Sequence, residues 1–174
     1  MKTNEASFGF SVVSEQELLL EDKTLIELIS SILAKKASFR FKVKGFSMLP
    51  FIREGDIVTV SPLSERAAGL GRPVAFVHPV SKKLVIHRIV AVEKDCYLIK
   101  GDSCFEADGR VQKENLLGSV SKIERIGRKK IWCLGPERFL ITFLSRLKII
   151  SFALCGWNKL PERVKKIIKR SGII

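Results

Sequence analysis

The sequence has 174 residues, 46% of them hydrophobic, and its 31 Lys and Arg against 18 Asp and Glu give a formal net charge of +13 at pH 7. This length and apolar content suit one main domain with appendages and exclude an intrinsically disordered chain. The charge is uneven, because residues 122–174 hold 14 basic and 3 acidic side chains. Nucleic acid, an acidic partner and anionic lipid would all suit such a segment, so charge alone does not identify its partner.

The N-terminal segment, residues 1–38, is predicted to be a helical extension. Its first 23 residues contain no basic stretch followed by an apolar run, so they predict neither a secretory signal nor a membrane-spanning anchor. Residues 15–36 predict an amphipathic helix. Its apolar stripe comprises Leu18, Leu19, Ile26, Leu28, Ile29, Ile32 and Leu33.

From residue 39 the apolar period changes from helical to alternating, with Phe39, Phe41 and Val43 separated by basic residues. Further β-rich runs, separated by turn-forming residues, lie at 57–60, 73–78, 84–93, 96–100 and 117–126. Short, closely spaced strands without long helices between them favour an antiparallel sheet over a parallel βαβ sheet. The sequence therefore predicts a mainly β domain over residues 39–134, a small bent antiparallel β-barrel or sandwich.

Residues 135–174 form a basic C-terminal segment that begins with a strongly apolar stretch. Because Arg146 and Lys148 lie in the middle of that stretch, and a central charge costs about 2.5–3.5 kcal/mol on insertion, a spanning helix is disfavoured. An apolar helix followed by a basic tail instead indicates a peripheral segment that lies in a membrane interface. The sequence does not specify on which side of the membrane it lies. The alternative is a helical hairpin packed on the β domain.

The four cysteines, Cys96, Cys104, Cys133 and Cys155, are spaced 8, 29 and 22 residues apart, which fits no CxxC metal or redox pattern. We interpret them as free thiols, with a Cys96–Cys104 disulfide as the alternative. The sequence implies no metal and no organic cofactor.

The first candidate catalytic residue is Ser47, which lies in the segment GFSMLP after a predicted strand. A turn serine becomes a nucleophile only when a base accepts its proton and a third group orients that base. The two histidines are His78, before a proline at a strand end, and His87, in the middle of a strand. Either Asp102 or Asp108, both in turn-forming dipeptides, could orient an imidazole.

Taken in order, GFSMLP, EGDIV, VIHRIV, KGDS and ADGR resemble the type I signal peptidases and their relatives, which share a fold with self-cleaving repressor domains. The resemblance covers roughly residues 39–124. It implies that Ser47 is the nucleophile, that Met48 lies beside the substrate channel with Phe46 and Pro50 nearby, and that Gly55-Asp56 belongs to the scaffold.

Most bacterial relatives use a lysine base where this chain has His87, and that replacement resembles the endoplasmic-reticulum-type branch, which uses serine, histidine and aspartate. The resemblance then assigns the third member to Asp108, with Asp102 supporting the site. Two features depart from typical relatives: no spanning helix is predicted at the N-terminus, and Phe51 stands where a small hydroxyl residue is usual.

These features predict a serine endopeptidase that cleaves signal or leader peptides. The resemblance implies a substrate extended along a strand edge, with Ala or Gly near the scissile bond. A maturation protease for one dedicated peptide precursor is an alternative within the same class. A non-catalytic module that binds peptides or membrane is another alternative. A self-cleaving regulator on DNA is disfavoured by the missing lysine base and the lack of a helix-turn-helix before residue 39, so no nucleic acid partner is expected.

Overall fold

The computed structural model describes residues 22–94, 96–126 and 134–159. The helices and strands in chain order are α1 (Asp22–Ala34), β1 (Phe39–Lys42), β2 (Ile57–Pro62), β3 (Pro73–Val77), β4 (Leu84–Val92), β5 (Cys96–Lys100), β6 (Gly109–Gln112), β7 (Leu116–Glu124), α2 (Arg138–Arg146) and α3 (Ile149–Lys159). The predicted β-runs are all strands, with ends within two residues of the prediction. The first part of the helix predicted over 15–36 lies outside the described residues.

The strands form one antiparallel sheet in the order β1-β2-β7-β3-β4-β5-β6. Irregularities in pairing at residues 59–60, 75–76 and 89–91 mark β-bulges, which bend strands and increase their twist. The predicted mainly β, antiparallel fold is confirmed. The sheet is open, since β1 and β6 each pair with one described strand.

The strand β6 was not predicted, because its four residues follow a turn-forming Asp-Gly dipeptide and show no apolar alternation. It pairs with β5 through the register Ile99↔Gly109 to Cys96↔Gln112. This pairing turns the chain back directly after Asp108, and so fixes where that aspartate lies relative to the sheet.

Two apolar clusters cover the two faces of the sheet. On one face α1 packs against β1, β2, β4 and β7, and α2 packs against β4. The buried residues of this face include Ile29, Leu33, Val58, Val60, Val120, Ile141 and Ile150. The other face carries Val74, Phe76, Ile89, Ile99, Val111 and Leu116. Neighbouring residues of a strand point to opposite faces, so His87 shares the second face while Arg88 faces the helices.

The apolar C-terminal stretch is two helices. The chain bends at Leu147 and at Lys148, which has a φ of 59°, and the helices lie at 75° to one another. Within the part of the chain that the structure describes, no single helix is long and apolar enough to cross a membrane, although this bent pair together meets the length and composition requirement. Ile141 and Ile150 pack the pair onto the sheet.

Candidate active site

Ser47 lies in a loop, residues 43–56, and the buried carboxylate of Asp56 holds the end of this loop in place. Asp56 accepts hydrogen bonds from the Arg125 guanidinium and from the backbone N–H of Arg53. Charge-assisted hydrogen bonds of this kind are roughly twice as strong as neutral ones. Asp56 therefore anchors the loop to the end of β7, as expected of a scaffold residue.

The turn that carries Ser47 is joined to a second loop, residues 101–108, which connects β5 to β6. The backbone N–H of Ser103 donates to the Ser47 carbonyl at 2.9 Å, and the Ser103 hydroxyl donates to the Phe46 carbonyl at 2.8 Å. These two bonds fix the turn relative to the sheet. Among the described residues, neither the hydroxyl nor the backbone N–H of Ser47 has a hydrogen-bond partner.

His87 projects from the middle of β4 and is buried against the ring of Phe76, with ring centroids 6.1 Å apart. Its Nδ1 lies 2.6 Å from Asp108 Oδ2. When Asp108 is ionised and the imidazole is neutral, Nδ1 donates to the carboxylate and the lone pair lies on Nε2. His78 Nε2 lies 3.9 Å from the other Asp108 oxygen. Asp108 is thus the aspartate that contacts the predicted base.

Gly101 lies between the predicted base and the predicted nucleophile. A Cβ atom at this position would lie 2.8 Å from the Ser47 carbonyl oxygen, 3.0 Å from His87 Nε2 and 2.6 Å from Cys104 Sγ. The Ser47 carbonyl oxygen and His87 Nε2 both lie within 3.0 Å of this one position, so the two atoms are near neighbours. No hydrogen bond joins the Ser47 hydroxyl to His87 in the described structure. Catalytic hydrogen bonds are often long without substrate and tighten when it binds.

Asp102 occupies a different position from Asp108, on the helix-facing side of β4. The guanidinium of Arg88 donates to both carboxylate oxygens of Asp102, at 2.8 and 2.7 Å, and to the Gly71 carbonyl at 2.7 Å. Both side chains of the pair are completely buried. Burial raises the pKa of Asp102, while the hydrogen bonds from Arg88 act in the opposite direction. Losing one partner of such a pair costs about 3–5 kcal/mol, so Asp102 contributes to the stability of the fold.

Lys100 directly precedes Gly101 at the end of β5, and its amine points to the helices. Its Nζ donates to the Gly101 carbonyl at 3.3 Å and to the Ser145 hydroxyl of α2 at 3.2 Å. Burial lowers the pKa of Lys100. Because Lys100 pairs with Arg88 across β4 and β5, it lies on the same face as the Arg88–Asp102 pair and away from the face of His87.

The three residues predicted to contact substrate differ in accessibility. Phe46 is 61% exposed beside Ser47, whereas Met48 is only 4% exposed and packs in the core under the helices. Pro50 is half-buried and follows a cis peptide bond. Phe46 is therefore the most accessible of the three to a bound peptide.

Cys96, Cys104 and Cys155 form no disulfide with one another, and Cys133 lies outside the described residues. Cys104 adjoins Gly101, and burial raises the pKa of its thiol. From the sequence alone, no role at the site is assigned to Gly101, Arg88 or Cys104. The only available signal was the short spacing between KGDS and ADGR, which predicts a tight loop without indicating what it contacts.

The sequence model of the family described as Peptidase S24-like matches residues 2–108, more than half of the chain. The chain belongs to this family. The matched region includes Ser47, His87 and Asp108, and membership in the Peptidase S24-like family indicates a peptidase of the serine type. No curated protein matches the sequence significantly.

Proposed function

We propose that this Peptidase S24-like protein is an endopeptidase that removes signal or leader peptides, with Ser47 as nucleophile, His87 as general base and Asp108 as the group that orients the base. The observation that carries the proposal is the 2.6 Å contact between His87 and Asp108, on an imidazole whose other nitrogen lies beside the Ser47 turn. This arrangement is that of a base held in its reactive tautomer.

In the proposed reaction, His87 Nε2 takes the proton of the Ser47 hydroxyl as its oxygen attacks the scissile carbonyl. The Ser47 backbone N–H stabilises the resulting oxyanion. The imidazolium, stabilised by Asp108, then protonates the departing amine, which leaves an acyl-enzyme. A water molecule, deprotonated by His87, hydrolyses this ester and restores the serine.

A histidine base agrees better with this geometry than a lysine base. The amine of Lys100 is engaged by a carbonyl and a hydroxyl on the helix side. Its lowered pKa follows from burial in that position. Reaching Ser47 would require the amine to leave both partners and cross to the other face of the sheet.

An extended substrate is supported by the position of β1. This edge strand ends at Lys42, shortly before Ser47, and pairs on one side with β2. A peptide added to such an edge gains main-chain hydrogen bonds and presents alternate side chains to the protein. The scissile bond would then lie beside the Ser47 turn, next to the exposed Phe46.

The proposal can be tested with a library of synthetic peptides that carry Ala or Gly before the central bond. We expect the purified protein to release two fragments from a subset of these peptides, with mass spectrometry locating the cut after the small residue. Peptides that bind without being cut would instead indicate a non-catalytic peptide-binding module. Cleavage of one precursor alone would favour a dedicated maturation protease.

Replacing Gly101 with alanine should damage this activity selectively. The new methyl group would press on the Ser47 carbonyl, which cannot move without displacing the nucleophile. A misplacement of about 1 Å at a reacting group costs about 100-fold in rate, and we expect a loss of this size in kcat/KM.

The matched control is Gly156→Ala in α3, where a Cβ would meet nothing within 4 Å. We expect this variant to cleave like the wild type. Adding Cys104→Ala to Gly101→Ala relieves only the contact with sulfur, so it should not restore activity. Full activity in a folded Gly101→Ala protein would mean that the distance between serine and histidine is not critical.

A further inference from the structure

The helices α2 and α3 expose apolar side chains where soluble helices usually carry polar ones. In α2, the side chains of Ile141, Thr142 and Ser145 are buried. The opposite face carries the large exposed residues Phe139, Leu140, Phe143 and Leu147. Residues spaced three and four apart share one face of a helix, so these side chains form one stripe that faces away from the sheet.

The helix α3 also exposes large apolar side chains. Ile150 and Ser151 are buried, whereas Ile149 and Phe152 are exposed, Phe152 by 65%. Six large apolar side chains are therefore exposed between residues 139 and 152. Soluble proteins rarely expose an apolar surface of this kind unless it binds something. We call these six residues the apolar face.

Within the segment that forms the two helices, every charged side chain is basic. Residues 138–159 contain four basic residues and no acidic one. Where the α2–α3 junction meets the loop 105–107, a cavity of about 220 Å³ is lined by Lys100, Arg146 and Lys148, with Glu106 as its acidic residue. Cationic side chains beside exposed apolar ones match the charge of anionic lipid headgroups and the apolar character of the acyl region below them.

We propose that the apolar face docks this protein on the surface of a membrane that contains anionic lipid. In this position the exposed rings enter the interface and Arg146 meets headgroup phosphates. Lys148, which donates to the exposed Glu106 at 3.1 Å, would exchange that carboxylate for a phosphate. Contacts of Ile141 and Ile150 with the core hold the inner side of the helices on the sheet. The helices therefore lie along the surface and carry the whole domain with them.

Docking would bring the candidate active site to the membrane, because α3 contacts the loop that bears Asp108. The Ser151 hydroxyl donates to the Cys104 carbonyl at 2.7 Å. The rings of Phe105 and Phe152 meet edge to face, with centroids 5.4 Å apart. A peptide emerging from the bilayer would then meet the site without a long diffusional search.

The test is sedimentation of the full chain with vesicles of phosphatidylcholine alone or of phosphatidylcholine with 30% phosphatidylglycerol (about one anionic lipid in three). We expect binding to the anionic vesicles that weakens as salt is raised, and little binding to the neutral ones. The double variant Leu140→Ser/Phe143→Ser, which removes two exposed apolar side chains, should reduce the partition coefficient at least about tenfold.

The control is Val80→Ser/Val92→Ser, which removes two exposed apolar side chains, 85% and 52% exposed, that are not part of α2 or α3. It should bind vesicles like the wild type. Equal binding by both double variants, or no binding by the wild type, would overturn the proposal. A wild-type dimer in solution that the Leu140→Ser/Phe143→Ser change dissociates would assign the apolar face to a protein contact. The assay requires no cleavage, so its outcome is independent of the proposed peptidase activity.

Discussion

Replacing Ser47 with alanine is expected to abolish peptide cleavage, with kcat falling by at least about 10⁴-fold. Alanine removes the oxygen that would form the acyl-enzyme. The half-buried side chain makes no hydrogen bond with described residues, so its loss should leave the thermal stability almost unchanged. The measurements are the rate of fragment release from the best library peptide and the melting temperature of each protein.

Ser103→Ala is the matched control for this variant. It deletes a neighbouring hydroxyl, which donates to the Phe46 carbonyl, but keeps the backbone bond from Ser103 to Ser47. A single neutral hydrogen bond contributes about 0.5–1.5 kcal/mol, so we expect a loss of about tenfold or less. If Ser47→Ala kept cleavage within tenfold of the wild type, another group would have to be the nucleophile.

Replacing Asp108 with asparagine should lower kcat by about 10⁴-fold while the protein remains folded. The amide can donate to Nδ1 of His87, which would shift the imidazole proton to Nε2 and remove the lone pair that the mechanism needs. Proton NMR of the histidine ring would report this change of tautomer directly. Fragment release from the same peptide gives the rate.

Two control variants distinguish a loss of His87 orientation from a general loss of stability. His78→Gln changes a neighbour 3.9 Å from Asp108, and a contact this weak should affect the rate by no more than about fivefold. Asp102→Asn breaks the buried pair with Arg88, so its main effect should be on the melting temperature. An Asp108→Asn protein with an unchanged tautomer and a normal rate would contradict the assigned role.

The contrast between the two aspartates follows from strand geometry. His87 and Arg88 are neighbours in β4 and therefore face opposite sides of the sheet. The loop after β5 passes Asp102 on the side of Arg88 and, six residues later, Asp108 on the side of His87. Sequence reasoning placed both aspartates near the site and favoured Asp108 through the family resemblance, but nothing in the residue order excludes the reverse assignment.

The alternating and helical apolar periods were enough to predict most elements, because burial of one face imposes the period on the sequence itself. The short β6 escaped prediction, since a four-residue strand after an Asp-Gly turn has too few residues to show a period. For the C-terminal stretch, the composition predicts an apolar helix followed by a basic tail, or a helical hairpin packed on the β domain. The bend at Leu147 and Lys148, and the face of each helix that meets the sheet, depend on packing of the two helices against each other and of α2 against β4.

Motif residues and periodicity are local properties of the chain, so the mainly β antiparallel fold and the small set of side chains in the proposed site can be read from the residue order. The hydrogen bond between Asp108 and His87, the position of Gly101 between His87 and the Ser47 turn, and the outward direction of the apolar face emerge from the folded chain. Each of these is a contact between segments distant in sequence, and such contacts are set by pairing and packing of the whole sheet.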